Sequence, residues 1–369
     1  MNGRITRRLA MALALAAAWP IGAQAQDVAQ AKAFINKYTA AASAWDGPTA
    51  GPKAAKGKTI VVLASDLTNG GVLGAANGVK EAAAAIGWTV KTIEGGGTLS
   101  GRTSAFGQAL ALKPHGVIIL GFNPQEQQVG MQRVRDAGLP MVAWHSLADN
   151  GPSKEYGIFA NVTTNAQDVS KAAAYWAFVD AGQKPAVVIF TDSTYKIAID
   201  KANWMKQAIE QLGGKVLELV DTPLAETSTR MPQLTTTLLQ RHGARWTHSL
   251  AINDLYFDFM GPSLAAAGIA GSGAPRSVAA GDGSEAAYQR IRTGQFQAVT
   301  VAEPLNLHGW QMVDEMNRAF AGQAWSGYNS PLHVVTASNI QHDGGSKNRF
   351  DPDNGYREAY RAIWSAGKM

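Results

Sequence analysis

The chain has 369 residues, with 33 Lys and Arg against 28 Asp and Glu, so its formal net charge is +5. It contains no cysteine, which excludes a thiolate metal site, an iron–sulfur cluster, a disulfide and a cysteine nucleophile. Apolar residues make up 46% of the chain and glycines number 39, a composition typical of a turn-rich globular protein and not of a disordered one.

The N-terminus has the pattern of a cleavable export signal. Three arginines precede a short uncharged run, residues 9–24, which ends at the small-x-small triplet Ala23-Gln24-Ala25. We therefore predict a signal peptide over residues 1–25 and a periplasmic mature chain that begins at Gln26 with a net charge of +2. No segment has the length and apolar content of a membrane span, and no cluster of cations predicts a nucleic-acid groove.

Residues 26–56 predict an N-terminal extension with a short helix over 29–42, followed by turns rich in Gly and Pro. Beyond it, short apolar runs alternate with stretches of helical periodicity, which is typical of βα units around a parallel sheet. The predicted strands are 59–65, 88–93, 116–120, 140–145, 156–160, 186–191, 216–220, 246–252, 277–281 and 298–302. The predicted helices include 74–86, 124–137, 164–179, 197–212, 232–241, 285–293, 307–320 and 356–364.

This rhythm predicts an α/β fold. Ten predicted strands are more than one small open sheet contains, and the mature chain is longer than a single hydrophobic core usually supports. We therefore predict two doubly wound parallel-sheet lobes with a boundary near Ala160.

Polar side chains directly follow many of the predicted strands, at the edge where open α/β sheets bind ligands. The set comprises Asp66, Thr68, Asn69, Asn123, Trp144, His145, Thr191, Asp192, Asn253, Asp254, Asp282 and Glu303. Amides and carboxylates together donate and accept hydrogen bonds without a strong field of one sign, which favours a small, neutral, polyhydroxylated solute. Each Asn or Asp alone is also an ordinary helix cap or turn residue. Their repetition at one edge is what favours a binding site.

Motifs for covalent chemistry and for metals are weak or missing in the sequence. The seven histidines lack the HExxH and HxH spacings, and neither a Gly-x-Ser-x-Gly elbow nor a Walker loop occurs. We predict no metal site, no cofactor and no catalytic residue. The carboxylate pair Asp282 and Glu303 leaves an exported enzyme, such as a glycosidase, as a further alternative.

Six segments occur in an order that resembles a known family. They are 60–63 followed by Asn69, 116–119 followed by Asn123-Pro124, 138–142, 252–254, 280–283 and 301–304. Over residues 58–335 the chain resembles the type I periplasmic solute-binding proteins of ABC importers, in the cluster of ribose- and xylose-type sugar binders.

The resemblance implies a ligand held between two lobes that are joined by a three-strand hinge, with crossings near Ala160, Glu303 and His333. The implied lobes are 57–159 plus 304–332, and 160–303 plus 333–369 with the C-terminal tail. Asn69, Asn123, Asn253 and Asp282 match residues that bond sugar hydroxyls in the family. Lys201 stands where the family often has Arg, and Glu303 where it often has Gln.

Departures from the family pattern affect the expected solute. Gly71 and Val72 replace an aromatic pair, and His145-Ser146 replaces an Asp-Arg pair. With Asp66, Trp144 and His145 added to the expected ligand contacts, the pattern favours a polyol other than ribose, a modified sugar or a polar solute that carries a charge.

We expect a monomeric binding protein that delivers this solute to an ABC permease in the inner membrane. A sensory binding protein that presents a small polar or cationic solute to a chemoreceptor or histidine kinase is the alternative. A transcriptional regulator of this fold would need a DNA-binding helix pair where the leader lies.

Overall fold

The computed structural model describes residues 21–182 and 184–366, with side chains from residue 27 onward. Most of the predicted signal peptide, including its arginines, lies outside the described residues. Among the helices that the structure describes, none is long and apolar enough to cross a bilayer.

The first sheet has six strands. They are β1 (Thr59–Ala64), β2 (Thr89–Glu94), β3 (Gly116–Leu120), β4 (Met141–Trp144), β5 (Gly151–Ser153) and β6 (Ile158–Val162). Their order is β2-β1-β3-β4-β6-β5, and neighbours are parallel except for β5 and β6. The continuous apolar run of β1 reflects burial on both faces, because Ile60 and Val62 pack into one core and Val61 and Leu63 into the other.

The second sheet repeats this plan with six further strands. They are β7 (Ala186–Thr191), β8 (Lys215–Asp221), β9 (His248–Ala251), β10 (Arg276–Ala279), β11 (Val299–Ala302) and β12 (His333–Thr336). Their order is β12-β11-β10-β9-β7-β8, with only the β11–β12 pair antiparallel. The predicted architecture of two doubly wound lobes is confirmed.

Twelve α-helices are present in the described residues. They are α1 (Ile21–Lys37), α2 (Gly70–Ile86), α3 (Leu99–Ala111), α4 (Gln128–Asp136), α5 (Ala166–Asp180), α6 (Lys196–Gln211), α7 (Thr227–His242), α8 (Leu255–Asp258), α9 (Gly261–Ala266), α10 (Glu285–Thr293), α11 (Leu305–Phe320) and α12 (Tyr356–Ala366). We call the first sheet with α2–α4, α11 and α12 lobe 1, and the second sheet with α5–α10 lobe 2.

The chain passes between the lobes at three places around the sheets. Residues 163–165 connect β6 of lobe 1 to α5 of lobe 2, and residues 303–304 connect β11 back to α11, which packs against α2. Residues 321–332 then return from α11 to β12. These crossings place the carboxyl ends of both sheets on either side of one cleft.

Several elements differ from the sequence-based prediction. The strands β5 and β12 were not predicted, because Gly-Pro-Ser and His-Val-Val-Thr contain no long apolar run. The helix predicted at 232–241 begins earlier, at Thr227, and continues through Pro232. The short helix predicted over 29–42 ends at Lys37.

The C-terminal tail also departs from its prediction. The resemblance implies that the tail belongs to the second lobe, whereas α12 packs against α2 and α11, and its Tyr360 and Trp364 belong to a lobe 1 core. The tail therefore forms a further passage from lobe 2 to lobe 1.

The N-terminal extension spans both lobes, and we call residues 38–55 the strap. At one end, the carbonyl of Tyr38 accepts a hydrogen bond from the amide of Val334 in lobe 2 at 2.8 Å. At the other end, the amide of Ala54 donates to the carbonyl of Trp364 in lobe 1 at 2.9 Å. Between them, the ring of Trp45 packs against Tyr328 with centroids 5.1 Å apart.

Candidate functional site

Three asparagines at strand ends have the same local geometry. The side-chain oxygens of Asn69, Asn123 and Asn253 each accept the backbone N–H two residues later, at 2.9, 3.1 and 2.9 Å. Asn69 is the N-cap of α2, whereas Asn123 and Asn253 form turns ahead of α4 and α8 without capping them. Because the oxygen is held by the backbone, each side chain is oriented and its NH₂ group is left to donate elsewhere.

The side-chain NH₂ groups of Asn123 and Asn253 both contact the opposite lobe, and that of Asn253 also contacts its own lobe. Nδ2 of Asn253 donates to Oδ2 of Asp282 at 2.7 Å and lies 3.4 Å from Oδ1 of Asn69 on lobe 1. Nδ2 of Asn123 donates to the carbonyl of Thr194 on lobe 2 at 2.9 Å. Each side chain therefore stabilises its turn through its oxygen and reaches the cleft with its amide group, while its contact with a ligand stays a prediction.

A buried cluster of charged groups lies at the end of the cleft beside the first two crossings. Glu303, at the second crossing, is 1% exposed and accepts the backbone N–H of Thr164 from the first crossing at 3.3 Å. Its Oε2 lies 2.8 Å from Nε2 of His145, and its Oε1 accepts from Nζ of Lys201 at 3.3 Å. The other ring nitrogen of His145 lies 3.8 Å from Asp282. The His145 imidazole of lobe 1 thus lies between the carboxylate of Asp282 in lobe 2 and that of Glu303 at the second crossing.

Burial and these partners shift the pKa values of the two carboxyl groups in opposite directions. Burial alone would raise the pKa of Glu303, but His145 and Lys201 beside it hold that pKa well below its usual range. Burial raises the pKa of Asp282, against the opposing effect of His145 and Lys201, and the charge of Glu303 raises it further. Glu303 is therefore the permanent anion of the cluster, and Asp282 is the carboxyl whose charge depends on its surroundings.

One face of the Trp144 indole is covered by another side chain and is not free to stack on a ligand ring. The imidazole of His145 stacks on its indole, with ring centroids 3.7 Å apart and an angle of 8° between the planes. Its Nε1–H donates to Nδ1 of His308 at 3.0 Å. Trp144 lines the cavity and supports His145. The His145 ring occupies part of the indole surface that a ligand would otherwise contact.

His145, Glu303 and His308 are the described residues whose side-chain atoms are grouped closely enough to hold a metal ion. Both nitrogens of His308 are already engaged, since Nδ1 accepts from Trp144 and Nε2 lies 2.7 Å from Oγ of Ser330. Burial lowers the pKa of His308 to about 3, so its ring is neutral. With the Lys201 cation also beside Glu303, the group is a hydrogen-bonded network and not a metal centre.

A cavity of about 50 Å³ lies between the lobes and is partly open to solvent. Its lining residues include six of the predicted site residues, namely Asn69, Trp144, His145, Lys201, Asn253 and Asp282. Glu303 lies behind His145 and Lys201. Asn123 lies outside the lining and instead connects the lobes through Thr194.

Asp66 lies in a turn beside the cavity. Its Oδ1 accepts from both the N–H and the hydroxyl of Thr68, at 2.8 and 2.6 Å. Asp192 repeats this arrangement with Thr194 after the first strand of lobe 2, at 2.9 and 2.6 Å. The two lobes therefore carry the same Asp-x-Thr turn at corresponding positions, and both turns shape the backbone at the cleft.

Arg102 of lobe 1 contacts lobe 2 and was not predicted from the sequence as a functional residue. Its guanidinium donates from Nη1 to the hydroxyl of Tyr195 on lobe 2 at 3.2 Å and from Nη2 to Glu126 at 3.1 Å. The residue is 2% exposed. One signal was available, because Arg102 is the only charged residue of α3.

The N-terminus of α2 fits directly against lobe 2. A Cβ atom at Gly70 would lie 2.7 Å from Cβ of Ser284, and one at Gly71 would overlap the carboxylate of Asp282. Asp254 holds the opposing backbone in place, since its Oδ2 accepts the N–H of Gly283 at 2.8 Å. The absence of a side chain at Gly71 therefore sets how closely the lobes approach.

Comparisons with known proteins identify the family of the chain. A family model described as a periplasmic binding protein domain matches residues 60–324. No curated protein matches the chain by sequence.

Solved structures share the fold of the chain at low identity. An ABC sugar transporter subunit from Rhodobacter sphaeroides is 19% identical, with 76% of this chain and 99% of that chain covered and a TM-score of 0.63. An ABC transporter solute-binding protein from Agrobacterium vitis with bound allitol is 18% identical, with 78% and 97% covered and a TM-score of 0.66. Another from the same organism, bound with α-D-tagatopyranose, is 15% identical, with 79% and 99% covered and a TM-score of 0.69.

Proposed function

The chain belongs to the family of periplasmic binding protein domains, and from this premise we propose that it captures a small polyhydroxylated solute, a sugar or a polyol, between its two lobes. The observation that carries the proposal is the meeting of Asn69 from lobe 1 with Asn253 and Asp282 from lobe 2 at one cavity. A ligand stabilises a closed arrangement only by contacts that it makes with both lobes. These side chains supply such contacts.

The hydrogen-bonding groups at the cavity suit vicinal hydroxyls. The Asp282 carboxylate accepts from hydroxyl groups, and the amide of Asn69 and the ammonium of Lys201 donate to them. Such charge-assisted hydrogen bonds are strong where water is excluded, and each of the three residues is less than a tenth exposed. The allitol and tagatopyranose bound in two similar structures support this class of solute.

We further propose that the protein works as a monomer in the periplasm, leaves the solute chemically unchanged and delivers it to an ABC permease. The predicted signal peptide and the likeness to a sugar transporter subunit support this assignment. Stimulation of a reconstituted permease ATPase by the loaded protein is the expected result. Capture of a chemoreceptor or histidine kinase in place of a permease would instead assign the sensory function.

A thermal-shift screen over sugars, polyols, sugar acids and small amines tests the class of solute. A ligand present at a hundred times its Kd stabilises the folded protein by about 2.7 kcal/mol, which raises the melting temperature by several degrees. Asp282→Ala should abolish the shift, whereas Asp353→Ala, at an exposed carboxylate, should retain it. A response to cationic amines alone would show that the sugar or polyol assignment is wrong.

A further inference from the structure

Two side chains of lobe 1 bind one short segment of lobe 2 beside the cavity. Nδ2 of Asn123, which follows β3, donates to the carbonyl of Thr194 at 2.9 Å. Nη1 of Arg102, in α3, donates to the hydroxyl of Tyr195 at 3.2 Å, and the guanidinium carbon lies 5.2 Å from the centroid of that ring. We call these four residues the interlobe latch. All four lie outside the three crossings, so non-covalent contacts hold the latch together.

The lobe 2 half of the latch is fixed to its own sheet. Oδ1 of Asp192 accepts from the N–H and the hydroxyl of Thr194 at 2.9 and 2.6 Å. Asp221 accepts from the N–H and the hydroxyl of Ser193 at 2.9 and 2.5 Å. Tyr195 is the N-cap of α6. That helix supplies three residues to the lining of the cavity, namely Ile197, Ala198 and Lys201. Contacts to the latch segment therefore fix where α6 lies relative to lobe 1.

The lobe 1 half of the latch is also oriented by its own lobe. Oδ1 of Asn123 accepts the backbone N–H two residues later at 3.1 Å, which leaves the NH₂ group to donate to lobe 2. Arg102 donates to the carbonyl of Gly97 at 3.1 Å and to Glu126 at 3.1 Å. A Cβ atom at Gly97 would lie 2.7 Å from Cβ of Ala225, so the backbone beside Arg102 also contacts lobe 2.

Most of the latch lies outside the cavity. Tyr195 belongs to the lining, whereas Arg102, Asn123 and Thr194 do not. A contact that joins the lobes without a ligand favours the closed arrangement in the ligand-free protein as well. The apparent affinity for a ligand increases with the fraction of protein that is already closed.

We propose that the interlobe latch keeps part of the protein closed without a ligand, and that Arg102 and Asn123 raise solute affinity through this closure and not by touching the solute. The claim about affinity rests on the proposed function, whereas the claim about closure does not. Loss of a neutral hydrogen bond changes an equilibrium constant about fivefold, and loss of one with a charged donor about tenfold. These are the expected decreases in the ratio of closed to open protein.

Pulsed electron spin resonance measures this ratio without a ligand. The chain contains no cysteine, so Gln108→Cys on α3 and Gln211→Cys on α6, both at exposed positions, place one spin label on each lobe. The labelled parent protein should show a short and a long distance, one for each arrangement of the lobes. A single long distance in this protein would overturn the proposal.

Two substitutions remove the donors of the latch. Asn123→Asp keeps the oxygen that accepts the N–H of its turn but cannot donate to Thr194, and Arg102→Met keeps the aliphatic stem without the guanidinium. The ratio of short to long distances should fall about fivefold in the first variant and about tenfold in the second. Asn203→Asp and Arg133→Met make the same changes at exposed positions and should leave the ratio unchanged. Equal ratios in all the labelled proteins would overturn the proposal.

Calorimetric titration with allitol and D-tagatose tests the claim about affinity. The Kd of whichever compound binds should rise about two- to fivefold in Asn123→Asp, in step with the loss of closed protein. Weaker binding with an unchanged ratio of distances would show that Asn123 touches the solute directly, which would overturn the proposal and leave the proposed function standing. If neither compound bound to any of the proteins, the proposed function would fail for these solutes, and the spin-label distances would still decide whether the latch closes the lobes.

Discussion

His145 of lobe 1 lies with its Nε2 2.8 Å from Oε2 of Glu303, a carboxylate at the second crossing between the lobes. The contact joins the end of a lobe 1 strand to the hinge, and its other ring nitrogen faces Asp282. This one imidazole lies beside both carboxylates, where it holds the pKa of Glu303 down and opposes the rise in the pKa of Asp282.

We expect His145→Ala to lower the free energy of unfolding by about 3 kcal/mol. The variant removes the imidazole that lies 2.8 Å from the buried Glu303 carboxylate, and a buried charge that loses a hydrogen-bond partner is costly. Urea unfolding at pH 7 measures the effect. His342→Ala, at an exposed histidine, is the control and should change stability by less than about 0.5 kcal/mol. Equal stabilities of the two variants would contradict the importance of the cluster.

Gly71→Ala should prevent the lobes from closing as they do in this structure. The added methyl group would overlap the Asp282 carboxylate, so the lobes must separate or Asp282 must move away from the cavity. We expect ligand affinity to fall at least tenfold. Gly107→Ala, in α3 of the same lobe, meets only an ordinary 3.8 Å contact and should bind as the wild type does. Isothermal titration with any ligand from the screen compares the three proteins.

Glu315→Gln should change how stability depends on pH. Burial raises the pKa of Glu315 to about 7, from an ordinary value of 4.5, although its bonds to Ser326 oppose this. Between these values the folded protein holds a proton that the unfolded chain releases. The contribution of this proton to the free energy of unfolding is therefore complete below pH 4.5 and is lost as the pH rises through 7.

The glutamine variant cannot ionise, so its stability relative to the wild type should increase by about 3 kcal/mol between pH 4.5 and pH 8. Guanidinium unfolding at both pH values measures this difference. Glu358→Gln, whose side chain is 75% exposed, should show a constant difference from the wild type. A constant difference for Glu315→Gln as well would mean that its carboxyl ionises normally in the folded protein.

Trp45→Ala should loosen the strap. The indole packs against Tyr328 of the third crossing and Tyr360 of α12, with centroids 5.1 and 5.3 Å apart. We expect unfolding to become easier by about 2 to 3 kcal/mol and amide exchange to quicken over residues 38–55. Trp204→Ala, at a half-buried tryptophan on α6, should leave exchange in the strap unchanged. Wild-type exchange in the strap of Trp45→Ala would contradict its role as an anchor.

The fold was predictable because its signals are local. The run Thr59–Ala64 is apolar on both faces, which indicates a strand in a parallel sheet, and Asn69 follows at the position of a helix cap. A related rule, that Asn often forms a turn after a strand, predicted Asn123 and Asn253. Their hydrogen-bonding groups meet at the cleft because strands of a doubly wound sheet end at one edge.

The contacts that complete the site were not predictable, because they join distant parts of the chain. Arg102 and Tyr195 are 93 residues apart, and nothing near either one indicates the other. The stacking of His145 on Trp144 depends on the angle at which β4 ends. The path of the strap depends on Tyr328 and Trp364, which lie hundreds of residues later in the sequence.

Titration calorimetry of single variants from opposite lobes tests most directly whether both lobes hold the solute. With the best sugar or polyol from the screen, Asn69→Ala in lobe 1 and Asn253→Ala in lobe 2 should each weaken binding at least tenfold, because each removes a donor beside a buried ligand. If either variant bound with wild-type affinity, the ligand would not be shared between the lobes at this cleft.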